Sequence, residues 1–208
     1  MTKSIYLFSI SSHPDAISIN SLDITFFKPD IDFSKYDYFI ITSKQASKAL
    51  QQYDKEAYRN IPALCISKQS AKSYEALGGQ VLTIGQGYGD TLEEKIKEHP
   101  KETRWLYLRA KVVASDFVHH CIDDGYMIDE IVLYESQCSQ KILNISVEDN
   151  AILIFTSPSS VNCFLQKNKI KKTHKVIVIG KTTAKALPLG VSYHIAKEPT
   201  IQSCFDNL

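Results

Sequence analysis

No apolar run in this 208-residue sequence approaches the roughly 20 residues that a bilayer-spanning helix needs. The N-terminal Ile5-Tyr-Leu-Phe8 is too short even for the apolar region of a signal peptide and reads as a first strand. Charge of one sign is also missing: 24 basic and 23 acidic side chains leave a net charge of +1, which supports neither a nucleic-acid nor a membrane-surface partner. Arginine is scarce, present only as Arg59, Arg104 and Arg109, so an anionic ligand is expected to be held by backbone donors and hydroxyls rather than by guanidinium forks. The five cysteines (Cys65, Cys121, Cys138, Cys163 and Cys204) are odd in number, widely spaced and without a C-x-x-C pair. They predict free thiols in a reducing cytoplasm, with neither disulfide nor zinc site.

Several familiar chemistries are absent too. Neither a P-loop nor a Ser/His/Asp order can be assembled. Gly85-Gln-Gly-Tyr-Gly-Asp90 starts like a dinucleotide-binding loop, but Asp90 stands where the third glycine belongs. Asp90-Thr-Leu-Glu93 reads instead as a helix N-cap with Glu at N3. His119-His120 cannot easily share one metal ion, because adjacent helical side chains diverge by about 100°. Glu93-Glu94 and Asp123-Asp124 fail as acid–base couples for the same reason. The basic run Lys169, Lys171, Lys172 and Lys175 reads as a solvated loop between a helix and a strand.

What is present is a duplicated pattern in a chain whose 44% apolar content is that of an ordinary globular protein. Ala151-Ile-Leu-Ile-Phe-Thr-Ser-Pro-Ser-Ser160 reads as a buried strand, a turn with Ser157 as N-cap and Pro158 at the first helical position, then a helix. Such a turn is expected to present unpaired backbone N–H groups, a setting that suits an anion. Tyr38-Phe-Ile-Ile-Thr-Ser43 repeats the pattern earlier in the chain. Each copy is followed at similar spacing by a second unit, Ile179-Gly-Lys-Thr-Thr183 after the later copy and Cys65-Ile-Ser-Lys-Gln-Ser70 after the earlier one. Two pairs of strand–Ser/Thr–helix units predict two similar α/β lobes rather than one large sheet.

The β-prone runs at 24–29 and 128–136 read as a crossing between lobes and its antiparallel return. Residues 1–23 with 137–208 then form a discontinuous lobe, and 30–127 form a lobe inserted into it. Tyr134 falls at the end of the return crossing, where a phenol in a desolvated site can donate a proton.

Tyr36-Asp-Tyr-Phe-Ile-Ile-Thr-Ser43, Leu133-Tyr-Glu135, Phe155-Thr-Ser-Pro-Ser-Ser-Val161, Ile179-Gly-Lys-Thr-Thr-Ala184 and Pro199-Thr-Ile201, in this order and spacing, resemble the uroporphyrinogen-III synthase family over nearly the whole length. The resemblance implies an α/β fold of two Rossmann-like (flavodoxin-like) parallel-sheet lobes joined by a two-stranded ladder, with the middle lobe inserted. It implies a cytoplasmic, monomeric lyase of haem biosynthesis that needs no cofactor and no metal. That enzyme closes hydroxymethylbilane to uroporphyrinogen III with inversion of ring D through a spiro intermediate. The expected partners are that small-molecule substrate and, transiently, the enzyme that makes it, with no nucleic acid and no membrane.

By motif, Tyr134 matches the tyrosine proposed to assist hydroxyl departure, and Thr156, Ser157, Ser159, Thr182 and Thr183 match substrate-facing turns. Gly180, Thr42, Ser43, Ser70 and Arg109 complete the expected substrate-binding set. Departures cluster in the middle lobe, where Lys44 replaces a proline, Ser67 a glycine, and Ala110 the glycine of a Leu-Arg-Gly turn. A non-catalytic binding module for a polyanion or tetrapyrrole, and a transferase acting on a phosphorylated small molecule, are the alternatives the sequence leaves open.

Overall fold

A computed structural model describes residues 3–113, 115–206 and 208. Its strands are β1 (Ile5–Phe8), β2 (Ile17–Ile19), β3 (Leu22–Phe26), β4 (Tyr38–Ile41), β5 (Ala63–Cys65), β6 (Val81–Ile84), β7 (Arg104–Ala110), β8 (Met127–Cys138), β9 (Ile152–Phe155), β10 (Lys175–Val178) and β11 (Tyr193–Ile195). The helices are α1 (Lys44–Leu50), α2 (Lys55–Tyr58), α3 (Lys68–Glu75), α4 (Gly89–Lys97), α5 (Phe117–Asp123), α6 (Gln140–Leu143), α7 (Pro158–Leu165), α8 (Lys181–Ala184) and α9 (Ile201–Phe205). The chain divides into two compact units, Met1–Asp23 with Gln137–Leu208, and Ile24–Ser136.

The first unit is a parallel sheet ordered β2-β1-β9-β10-β11, the flavodoxin-like order. Ile152 to Phe155 are all buried because both faces of the sheet are covered, and this is why β9 is a continuous apolar run rather than an alternating one. One face packs Phe8, Phe155 and Val178 against Val161 and Phe164 of α7. Phe8 lies 4.9 Å from both Phe155 and Phe164, and each such ring pair adds about 0.5–1.5 kcal/mol beyond area burial. The other face packs Leu7, Ile154 and Ile177 against Cys204 and Ile201 of α9. Thr200 caps that helix, as Pro199-Thr200 suggested.

The second unit is a six-stranded sheet ordered β3-β8-β7-β4-β5-β6, parallel from β8 through β6. Phe39, Ile41, Leu106 and Leu108 point to a face covered by α1 and α3, while Ile40, Leu64, Trp105 and Tyr107 point to a face covered by α4 and α5. Phe27 donates to the Leu133 carbonyl and Ser139 to that of Ser21, the falling register of an antiparallel β3–β8 pair.

Three sequence expectations are corrected. Asp90 is not an N-cap: the cap is Tyr88, two residues earlier, and the loop closes through Thr91, whose hydroxyl donates to the Tyr88 carbonyl and accepts from the Gln86 N–H. Second, the helix expected from Ser70 starts at Lys68 with Ser67 as its cap, so Ser70 lies in its first turn. Third, the cysteines are not all free thiols. The end of β8 and α7 pack together, bring the Cα atoms of Cys138 and Cys163 to 5.3 Å, and the two form a disulfide across 25 residues of sequence. Cys65, Cys121 and Cys204 are buried free thiols.

Candidate functional site

In open parallel sheets, ligands bind outside the carboxyl ends of the strands, where the strand order changes direction. That point in the second unit lies between β4 and β7, and in the first between β1 and β9. Both places are occupied by residues of the Ser/Thr turns.

In the second unit, Thr42 follows β4 and its hydroxyl lies 3.1 Å from that of Tyr107 on β7. Ser43 caps α1, its hydroxyl accepting from the Gln45 N–H. Ser43 also lies close enough to Tyr134 to act on its phenol, although no hydrogen bond joins the two. A register shift between Arg109 and Ala110 places Ala110 opposite Tyr134. Regular alternation would send Leu133 and Tyr134 to opposite faces, but with this bulge both join the α1 face. Tyr134 is 5% exposed, and burial raises its phenol above the ordinary value while Ser43 draws it partly back. Burial likewise raises Tyr107, against the opposing hydrogen bond from Thr42. Both phenols therefore keep their protons at neutral pH.

Arg109 ends in the same region with its charge already met. Its Nε is 2.7 Å from Glu130 Oε2, an ion pair too bent to count as a hydrogen bond, and its Nη1 donates to the carbonyls of Ala110 and Lys111. Glu130 also lies 3.2 Å from His119 Nε2. Ser70 is 2% exposed and closed within its own capping box: its hydroxyl receives the Ser67 N–H, and its N–H reaches the Ser67 hydroxyl.

In the first unit, β9 and β10 are neighbours in register, Phe155 beside Val178, so Thr156, Ser157 and Ser159 share one sheet end with Gly180, Thr182 and Thr183. The two turns differ in what they offer. At α7 the expectation of a row of free N–H groups fails. Thr156 donates to the Phe8 carbonyl, Ser157 to the Ser160 hydroxyl, Ser160 to the Ser157 hydroxyl, and Pro158 has no N–H. Among these residues only the Ser159 N–H has no partner. The cause is the Ser157/Ser160 capping box, in which the side chains satisfy the donors that the helix leaves over.

At α8 the cap is Gly180, which has no side chain to take those donors. The N–H groups of Lys181, Thr182 and Thr183 make no hydrogen bond among the described residues. A Cβ built on Gly180 would meet nothing within 4 Å, so the space in front of them is open. Thr182 is exposed and Thr183 buried.

The structure thus groups Thr42, Ser43, Arg109 and Tyr134 in one unit and Thr156, Ser157, Ser159, Gly180, Thr182 and Thr183 in the other, while Ser70 serves its own helix. Tyr107 and Glu130 were missed by sequence reasoning. Tyr107 sits in the apolar run Trp105-Leu-Tyr-Leu108, and nothing local marks its hydroxyl as different from that of any core tyrosine.

Residues 15–206 match the family model described as uroporphyrinogen-III synthase HemD. Among solved structures the chain is similar to uroporphyrinogen-III synthetase from Helicobacter pylori 26695, with 23% identity and a TM-score of 0.81 over 99% of this chain and 98% of that one. It is similar also to a mutant uroporphyrinogen III synthase from the extremely thermophilic bacterium Thermus thermophilus, with 13% identity and a TM-score of 0.63 over 98% and 97% of the two chains. At such identities these two likenesses speak to the fold. No curated protein sequence matches the chain.

Proposed function

Because the chain belongs to the uroporphyrinogen-III synthase family, we propose that it acts as a cyclising lyase on hydroxymethylbilane, a linear polycarboxylate tetrapyrrole, and yields uroporphyrinogen III for haem biosynthesis. The observation that carries the reading is Tyr134, a phenol kept protonated by burial at the carboxyl end of a parallel sheet, with Ser43 close by.

Hydroxide is a poor leaving group, so the first step calls for a proton donor at the hydroxymethyl end. A pyrrole nitrogen lone pair expels the hydroxyl, the C–O bond breaks, and the Tyr134 proton goes to the departing oxygen, which leaves as water. The azafulvene cation that remains is attacked by a ring-D carbon to give a spiro intermediate. This reopens and recloses with ring D inverted, and the proton released on closure restores the phenol. Ser43, fixed by its own capping bond, stands beside the Tyr134 phenol and favours release of its proton. The open N–H groups of Lys181 to Thr183 and the Ser159 N–H suit substrate carboxylates, whose charge they meet with fixed dipoles.

The same reading makes the protein a cytoplasmic monomer supplied with substrate by the enzyme that makes it. Among the described residues no helix is long and apolar enough to cross a membrane. The test is the isomer composition of the product: type III in excess supports the reading, and type I alone, the product of spontaneous closure, overturns it.

A further inference from the structure

The reaction makes no use of a cavity of about 620 Å³ in the first unit, which lies at the opposite end of the sheet from the turns described above. Its walls are the loop that enters β10, with Lys169, Lys171 and Lys172, and the loop Pro188–Ser192 that enters β11. Because β10 and β11 are parallel, both loops lie at the amino end of the sheet. Thr156 and Gly180 follow the carboxyl ends of β9 and β10. A four-residue strand separates the two ends by about 13 Å.

The floor of the cavity is apolar. Leu165, Ile170 and Val191 line it and are packed against the core between the sheet and α7. At its rim Leu189 is fully solvent-exposed, on a turn that Gly190 closes with φ +83°. The lysine loop is held in shape by His174, 7% exposed and neutral, its Nδ1 accepting from the Lys171 N–H and its Nε2 donating to the Glu148 carbonyl, both at 3.1 Å. Burial lowers the imidazole below its ordinary value, which keeps this pair of bonds intact at neutral pH. Lys171 is paired with Asp149, whereas Lys169 and Lys172 have no acidic partner among the described residues. No acidic side chain is among the residues that line the cavity.

An apolar floor, a wall on which Lys169 and Lys172 lack a counter-charge, and a volume within the roughly 300–1,000 Å³ of small-molecule sites together define a ligand class. We propose that this cavity is a second ligand site, taking an amphipathic organic anion whose apolar body rests on Leu165, Ile170 and Val191 and whose carboxylate or equivalent faces Lys169 and Lys172. The inference rests on this cavity alone and not on the catalytic reading. It also gives a role to a lysine run that the sequence offers only as a solvated loop.

The probe is 8-anilinonaphthalene-1-sulfonate, titrated into the full chain and followed by amide NMR, with inorganic phosphate as the anion that lacks an apolar body. Saturable shifts at Gly190, Val191 and Ser192, at least tenfold weaker affinity in Lys169→Glu/Lys172→Glu, and no matching shifts with phosphate at the same concentration are expected. Both lysines are exposed, so the variant should fold, and an unchanged rate of tetrapyrrole closure or an unchanged amide spectrum away from the cavity confirms that it does. Shifts confined to Ser159 and Gly180–Thr183, undiminished affinity in the folded variant, or equal binding of phosphate would each overturn the proposal.

Discussion

Tyr134 and Ser43 come within reach of one another although the strands that carry them do not touch: β8 holds the tyrosine, the serine caps the helix after β4, and β7 runs between. The strand spacing puts β4 and β8 about 10 Å apart, a gap that a long side chain spans only from the correct face. The bulge opposite Ala110 supplies that face, and the small Ala110 side chain stands opposite the tyrosine. A backbone irregularity thus selects which phenol of the second unit meets the helix cap.

Removing the phenol oxygen while keeping the ring separates donation from packing. Tyr134→Phe is expected to fold with a melting temperature near that of the unaltered protein, yet to lose at least tenfold in kcat. A positioned general acid contributes about a hundred- to ten-thousandfold, and the pyrrole nitrogen supplies part of the push here. Steady-state turnover of fresh hydroxymethylbilane checks this, and a rate within twofold of normal would remove Tyr134 as the donor.

Gly180 offers a test of the open turn. Its backbone is extended and a Cβ would meet nothing, so valine is tolerated there structurally. In Gly180→Val the branched side chain fills the space in front of the Lys181–Thr183 donors. KM should rise at least tenfold, about 1.4 kcal/mol of binding, with little change in melting temperature. An unaltered KM in the folded variant would show that substrate carboxylates do not approach this turn.

Alkaline pH should destabilise the fold in a definite window. Burial raises Tyr74, Tyr107 and Tyr134 above the ordinary tyrosine value and pushes the Cys65 thiol up to about 12. These groups hold their protons longer in the folded state than in the unfolded one. Their contribution is complete below the unfolded-state values, about 8.5 for thiols and about 10 for tyrosines, and is lost as pH rises above them. The urea midpoint is therefore expected to fall between pH 8 and pH 11, less steeply in Tyr74→Phe. A midpoint that rises over this range would contradict the sign.

The Cys138–Cys163 bond closes a 25-residue loop and should contribute about 3 kcal/mol. For a chain of this length that corresponds to roughly 6–12 °C in melting temperature. Dithiothreitol is expected to lower the melting temperature of the unaltered protein by that amount and to leave Cys163→Ser unchanged. Equal curves with and without reductant would show that the bond does not stabilise the native state.

Strand and helix order was legible because fully covered parallel strands are written as apolar runs such as Ile152–Phe155, and because Ser157-Pro158 marks a helix start with unusual clarity. The turn residues stood out for the same reason. Other features depend on where distant segments meet. The bulge that turns Tyr134 onto the α1 face is set by pairing with β7. The approach of Cys138 to Cys163 requires β8 to end beside α7. The pairing also takes away the argument from five free thiols to a reducing compartment. The difference between the Ser157 and Gly180 turns was readable in principle, since a serine three residues after a serine cap can return a hydroxyl to the backbone and a glycine cap cannot. That accounting moves the expected anion site from the first turn to the second.

The proposed reaction closes a linear tetrapyrrole with ring D inverted, and its product reports on it directly. Hydroxymethylbilane generated in place is mixed with the protein, the product oxidised, and the type I and type III porphyrins separated by chromatography, with heat-denatured protein alongside. Type III is expected to predominate with the native protein and type I with the denatured one; type I alone in both would contradict the proposed reaction.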